Sequence, residues 1–270
     1  MSIDMQSGHD AALRVIVLNS GSNGNAVYVE SVASGTAILL DCGISRRKID
    51  MRLKIHGRGV QQVSAVFITH EHADHVRGLP ILSKLYDVPV YLTEQTYRHL
   101  WKHRPHRGSK WIGNDETVEV GDLRVRAFPK SHDACDPVCF EVEAAGRSFL
   151  YVTDLGVPSP ELIAALPEAH GVMLESNYDE DMLRNGGYPE HLQARIRSNY
   201  GHLSNAQAMG LLREHTNGAL RTLVLGHLSE NNNTPDIVRR EVDALLRERS
   251  TFRPLVHIAS RHDVSEVLHV

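Results

Sequence analysis

The sequence predicts an α/β protein built as a four-layer αββα sandwich, with two sheets face to face and helices outside. Two observations carry this. Short, apolar, β-rich runs succeed one another through the first and middle parts of the chain, while the later part alternates helical periodicity with strands. Residues able to bind metals repeatedly close those apolar runs, at the strand ends that line the active cleft of α/β folds.

In chain order, 14–18 and 26–29 read as strands around the turn Asn19-Ser20-Gly21-Ser22-Asn23-Gly24-Asn25, and 37–40 as a strand ending at Asp41. Ser45 stands where an N-cap belongs, before a helix opening at Arg46. A buried strand at 65–68 precedes a helical pattern over 76–86, a strand at 88–92 and a helix from 94 to about 103. Strands follow at 117–120, 123–128, 138–142 and 148–152. Helical patterns at 159–166, 189–197, 205–215 and 235–247 then alternate with strands at 171–174, 220–225 and 255–258. No linker or low-complexity tract interrupts them, so 13–270 reads as one domain behind a flexible tail, 1–12.

Composition narrows the function. A chain of 270 residues with 41% apolar and 23% charged content can bury a full core and does not resemble a disordered chain. No apolar run has membrane-spanning length and the N-terminus carries no signal-peptide core, so no membrane partner is expected. Cys42, Cys135 and Cys139 cannot build a disulfide framework, which points to the reducing cytoplasm. With a net charge of −4, any nucleic acid must be held by a local basic patch.

The chemistry concentrates in Thr69-His70-Glu71-His72-Ala73-Asp74-His75, on the turn that leaves the 65–68 strand. Imidazole suits zinc and similar ions, and carboxylate adds harder oxygen character. Such crowding exceeds what one open metal site needs and suggests two adjacent metals. Three further candidates close apolar runs: His132, Asp154 and His227. Every donor is nitrogen or oxygen, which fits zinc best, with manganese as the alternative.

His70-x-His72-x-Asp74-His75 followed by His132, Asp154 and His227 resembles the metallo-β-lactamase superfamily, with Asp41 matching its first motif. The turn at 19–25, Thr153-Asp154-Leu155-Gly156, Glu175-Ser176-Asn177, Gly201-His202-Leu203-Ser204-Asn205 and Gly226-His227-Leu228-Ser229-Glu230-Asn231-Asn232 are similar to its YycJ/WalJ-type branch. The resemblance implies the metallo-β-lactamase fold, two divalent ions, and cytosolic exonuclease activity, 5′-to-3′ on double-stranded DNA in preference to RNA. It also implies that His70, His72 and His132 bind one metal, Asp74, His75 and His227 the other, that Asp154 bridges them, and that Asp41 braces a ligand.

Glu175 and His202 match a pairing found in ribonuclease Z-like enzymes, where the histidine protonates the leaving sugar oxygen and the carboxylate orients it; with Asp74 they are the expected catalytic residues. Lys102, Arg104 and Arg107 lie in a basic stretch that also contains Trp101, and Ser20, Asn23, Asn25, Asn231 and Asn232 lie within the shared motifs; all are expected to contact substrate. Trp101 reads equally well as a core residue under a solvated helix face. Cys135 and Cys139 are left out of the metal site, as small hydrophobes. The competing function is a small-molecule hydrolase of the same fold, a cyclic phosphodiesterase or thioester hydrolase. A non-enzymatic metal-binding regulator would leave the complete ligand set and the acid without purpose. Oligomeric state is not legible.

Overall fold

In the computed structural model, which describes residues 11–105 and 108–270, two seven-stranded sheets face each other. Strands β1 (Leu13–Asn19), β2 (Ala26–Ser31), β3 (Ala37–Leu40), β4 (Val63–Phe67), β5 (Val90–Leu92) and β6 (Ser109–Trp111) build the first sheet. Strands β7 (Thr117–Val120), β8 (Leu123–Pro129), β9 (Val138–Ala144), β10 (Arg147–Val152), β11 (Gly171–Glu175), β12 (Thr222–Gly226) and β13 (Leu255–Ile258) build the second. Strand β14 (Leu268–His269) returns to the first sheet and pairs antiparallel with β1. The helices are α1 (Arg46–Ile55), α2 (Ala73–Val76), α3 (Leu79–Leu85), α4 (Glu94–His99), α5 (Pro160–Ala165), α6 (Glu180–Asn185), α7 (Glu190–Arg197), α8 (Asn205–His215) and α9 (Pro235–Glu248).

Strand periodicity explains the four layers. In β1, Val15 and Val17 enter the core between the sheets while Ile16 and Leu18 point the other way; in β4, Ala65 and Phe67 face inward and Val66 outward. The outward set packs with Ile49 and Leu53 of α1 and Leu79 and Leu82 of α3. On the second sheet Met173 and Val224 face inward, while Val172, Leu174, Leu223 and Leu225 pack with α5, α8 and α9. Three apolar interfaces thus separate four layers, as the patterning predicts.

Both sheets turn parallel toward their functional end. β3, β4, β5 and β6 pair parallel, as do β10, β11, β12 and β13, so several strand C-termini open on the same edge. Gly43 holds the loops there close: a Cβ on it would sit 1.6 Å from the Asp74 carbonyl oxygen. The Gly43 amide donates to Asn25 O at 2.8 Å, and the Asn25 amide to Asp74 O at 2.7 Å.

The helix expected over 76–86 is broken. The Gly78 amide leaves the helical ladder for Cys42 O at 2.8 Å, and Pro80 lies in the first turn of the new helix, α3. The helix expected to reach 103 stops at His99 and continues as a 3-10 turn, Trp101–His103. Strands β6 and β14 and helix α6 were not legible, because each is short and two of them carry little apolar pattern. Residues 1–10 of the expected tail lie outside the described residues.

Candidate metal centre

Six segments meet at the strand-end edge. Asp41 follows β3, His70 to His75 follow β4, His132 follows β8, Asp154 follows β10, Glu175 closes β11 and His227 follows β12. Asp41, Asp154 and His227 adopt left-handed backbone conformations, with φ of 58°, 53° and 54°. Each costs about 1–2 kcal/mol for a residue with a side chain, so packing and hydrogen bonds must hold these turns. The left-handed twist re-aims each side chain as its strand ends.

The ligand-type atoms converge. Those of His70, His72 and His132 lie within 4.8 Å of one another, as do those of Asp74, His75 and His227. Asp154 joins His70 and His75 in a third such group and His227, Glu175 and His202 in a fourth, so it stands between the two imidazole sets. His70 Nε2 and His227 Nε2 are buried without a hydrogen-bond partner, and Asp154 Oδ2 makes no aligned hydrogen bond although His75 Nε2 is 3.0 Å away. An unsatisfied buried polar atom costs about 1–3 kcal/mol. Divalent cations between these atoms would satisfy all three at once. The donor set fits a divalent-metal centre.

Contacts behind the cluster aim the imidazoles. A carboxylate only accepts, so His75 Nδ1 donates to Asp41 Oδ2 at 2.7 Å and its Nε2 turns to the cluster. Thr69 Oγ1 and Tyr151 OH donate to the same carboxylate at 3.0 Å, and the Thr69 amide to its Oδ1 at 2.9 Å. With its proton on Asp41, Thr69 Oγ1 accepts from His70 Nδ1 at 2.9 Å. His132 Nδ1 donates to Gly201 O at 3.2 Å. In each case the outward nitrogen holds a proton, which leaves the inward one to serve as the ligand atom when a metal takes its place in the cluster.

Glu175 has two such tasks. Its Oε1 accepts from His227 Nδ1 at 2.7 Å and from His202 Nδ1 at 2.8 Å. Its Oε2 takes the Leu155 and Leu203 amides at 2.9 and 3.2 Å. Burial opposes ionisation of this carboxyl, but the adjoining imidazoles of His202 and His227 more than offset it and hold it at about 2. Burial likewise disfavours charge on His227 and His75, yet Asp154, with Glu175 or Asp41, pushes both up, His227 to about 10. His132 and His70 follow burial instead; His132 falls to about 4. Four carboxylates thus impose a negative field that favours cations.

The remaining expected residues separate into groups. His202 is adjacent to the cluster, its Nδ1 3.8 Å from Asp154 Oδ1, with 22% of its side chain exposed. Asn25 is buried beside the cluster, its Nδ2 3.1 Å from His75 Nε2 and 3.4 Å from Asp74 Oδ2. Ser20 and Asn232 are buried rather than presented to a polymer: Ser20 Oγ accepts from the His227 amide at 2.8 Å, and Asn232 O accepts from the Asp179 amide. Asn23 is exposed, its Oδ1 accepting from Asn19 Nδ2, and Asn231 is exposed, donating to Tyr188 OH. Lys102 and Arg104 are exposed, while Arg107 lies outside the described residues. Trp101 is 85% exposed, which removes the core reading of it.

Sequence reasoning missed Thr69, Tyr151 and Lys130. Lys130 has a fully buried side chain, donates from Nζ to Thr153 O at 2.7 Å and stands 4.0 Å from Asp154 Oδ2. A lysine closing an apolar strand was its available signal. Tyr151 looked like any core aromatic.

A family model for the beta-lactamase superfamily domain matches residues 36–228. The chain is 32% identical over 240 residues to exodeoxyribonuclease YycJ of Bacillus anthracis, spanning 88% of this chain and 90% of the relative. It is 32% identical over 232 residues to exodeoxyribonuclease WalJ of Streptococcus pneumoniae, spanning 82% and 83%. Among solved structures, Zn2+-bound PqqB from Methylobacterium extorquens superposes with a TM-score of 0.71 at 18% identity, covering 94% of this chain and 99% of that one.

Proposed function

The chain belongs to the metallo-β-lactamase superfamily and is a metal-dependent hydrolase acting on ester bonds, and we propose that it is a dinuclear nuclease that removes nucleotides from DNA ends. The observation that carries this is the Glu175–His202 pair standing beside the metal cluster. The names of the two exodeoxyribonuclease relatives support the choice of DNA; double-stranded substrate and 5′-to-3′ direction belong to the proposal and follow from the motif resemblance alone.

His70, His72 and His132 would hold one divalent ion, Asp74, His75 and His227 the other, and Asp154 would serve both. When bound, paired divalent ions lower the pKa of water and neutralise charge developing on the phosphoryl oxygens. Zinc fits the imidazole-rich set best, and manganese tolerates it. Asp41 keeps His75 in the tautomer that ligates.

His202 supplies what a nucleic acid needs and an activated ester does not. The alkoxide leaving group of a phosphodiester is poor, so a proton must reach it. Burial works against charge on His202, but Glu175 and Asp154 raise its pKa, so it enters the reaction with a proton to give. Glu175 occupies its Nδ1, leaving Nε2 to face the leaving oxygen. Exposed Lys102 and Arg104 hold the backbone. Three free cysteines agree with action in a reducing compartment, the cytoplasm.

The test is His202→Ala on two substrates. Turnover of DNA should fall about a hundredfold or more, the usual contribution of a positioned acid. Bis(p-nitrophenyl) phosphate, whose leaving group needs little protonation, should lose far less, with metal content unchanged. Equal losses on both would take the acid role from His202.

A further inference from the structure

A groove of about 520 Å³ runs from Glu71, His72 and Ala73 to Leu100, Trp101 and Lys102. It therefore joins a proposed metal ligand to an indole that is 85% exposed. Tryptophan is normally well covered, and a bare indole at the mouth of a catalytic groove calls for a flat partner. The volume is in the range of small-ligand clefts. The second tryptophan differs: Trp111 is 51% exposed and packs edge-on to Tyr97, with ring centroids 5.1 Å apart.

Charge selects the occupant. Lys102 and Arg104 are exposed beside Trp101; Arg104 lies over the Tyr97 ring and donates to Arg98 O, and Arg98 itself is paired with Glu94 at 2.7 Å. Glu71, at the groove's inner end, is tied to the Cys135 amide at 2.9 Å. An aromatic face flanked by exposed cations fits an unpaired nucleobase whose own phosphate meets the cations. The geometry points to Trp101 as a stacking platform for an unpaired base next to the scissile phosphate, so that the strand end enters the site single-stranded. This rests on the nuclease reading and goes beyond it by specifying the form of the end. A paired base has both faces covered by its neighbours or exposes only the outermost, so a blunt end must fray before it can dock.

The test uses metal-loaded protein carrying Trp111→Phe, which leaves Trp101 as its sole tryptophan, because the chain has 2. The probe is a phosphorothioate-linked duplex with a short unpaired end, and a twin whose unpaired nucleotides are abasic. Stacking predicts quenching of the indole emission by the base-bearing probe and little by the abasic one. Trp101→Ala should weaken binding of the base-bearing probe about tenfold to a hundredfold and erase its advantage over the twin. Trp101→Phe should restore most of that advantage, which a general loss of fold would not allow. Equal affinity of wild-type protein for the two probes, with DNA still cleaved, would overturn the platform and leave the nuclease reading intact. Failure of wild-type protein to bind or cleave any DNA would overturn both. A Trp101→Ala variant that lost self-association and kept the base-dependent binding would assign the indole to a contact between copies instead.

Discussion

Glu175→Gln separates a carboxylate that merely steadies one histidine from one that serves two. The Oε2 position receives two backbone amides, from Leu155 and Leu203, so only an oxygen fits there. The glutamine oxygen must take that place, which turns its NH2 toward the Nδ1 atoms of His202 and His227, both within 2.8 Å of the present oxygen. Donor then meets donor twice. Relief requires each ring to give up its Nδ1 proton, leaving the remaining one on Nε2, or to turn away. His227 would then present a proton where it should present a lone pair, and His202 would lose the charge that Glu175 sustains. Loss of the acid is worth about 10²–10⁴ in rate, and loss of a ligand's outer partner about 10–100 in metal affinity. The first alone is at least about 2.7 kcal/mol of barrier. Glu175→Gln should therefore be worse than His202→Ala. The assays are elemental analysis, turnover of end-labelled duplex, and turnover of bis(p-nitrophenyl) phosphate at limiting metal. The variant should lose metal and fail on both substrates, whereas His202→Ala fails mainly on DNA. Full metal content with near-normal turnover of the chromogenic diester would refute the double role.

Other perturbations test other parts of the centre. Asp154→Ala should bring metal content well below a full pair and abolish hydrolysis, since its carboxylate neighbours both imidazole sets; full occupancy would end the bridging role. Lys102→Glu with Arg104→Glu should weaken duplex binding and lower its log–log salt slope by roughly 0.9 for each phosphate no longer neutralised; an unchanged slope would remove these residues from the interface. Far from the site, Glu30 is buried and accepts from Arg14 at 2.6 Å, Arg58 at 2.6 Å and Tyr28 at 2.9 Å. Burial alone would raise its pKa, but Arg58, Arg14 and Tyr28 together bring it below the ordinary carboxylate value. A lowered folded-state value stabilises the fold above the unfolded value of about 4.3, and the benefit fades as pH falls through the folded one. Glu30→Gln should cost about 2 kcal/mol at neutral pH and progressively less in acid. A gap that does not close in acid would point to packing in place of charge.

The layers were legible because burial leaves a period-two trace: Val15 and Val17 against Ile16 and Leu18, or Met173 against Val172 and Leu174. A helix start was legible where a cap declares itself, as Ser45 does by accepting from the Lys48 amide; Ser159 and Ser204 cap in the same way, but only the structure shows it. The pairing of β14 with β1 was not, since two residues carry no period. At the site, the ligand-type residues show in the sequence because their chemistry is rare at strand ends. Partners that act through geometry do not: nothing in the spacing of Glu175, His202 and His227 reveals that one oxygen holds both rings. The same holds for Tyr151, whose hydroxyl reaches Asp41 from the facing sheet. The exposure of Trp101 was likewise undecidable, because a helix expected to run to 103 has a buried face, and the observed turn places the indole outside it.

The central claim, metal-dependent hydrolysis of DNA from its ends, meets its most direct test on end-labelled duplex DNA. Wild-type protein loaded with manganese or zinc should release labelled nucleotides progressively, with a chelator and Asp154→Ala each stopping the release. Fully metal-loaded protein that leaves duplex, single-stranded DNA and RNA intact while hydrolysing a thioester or a cyclic phosphodiester would contradict the nuclease reading and assign the centre to a small substrate.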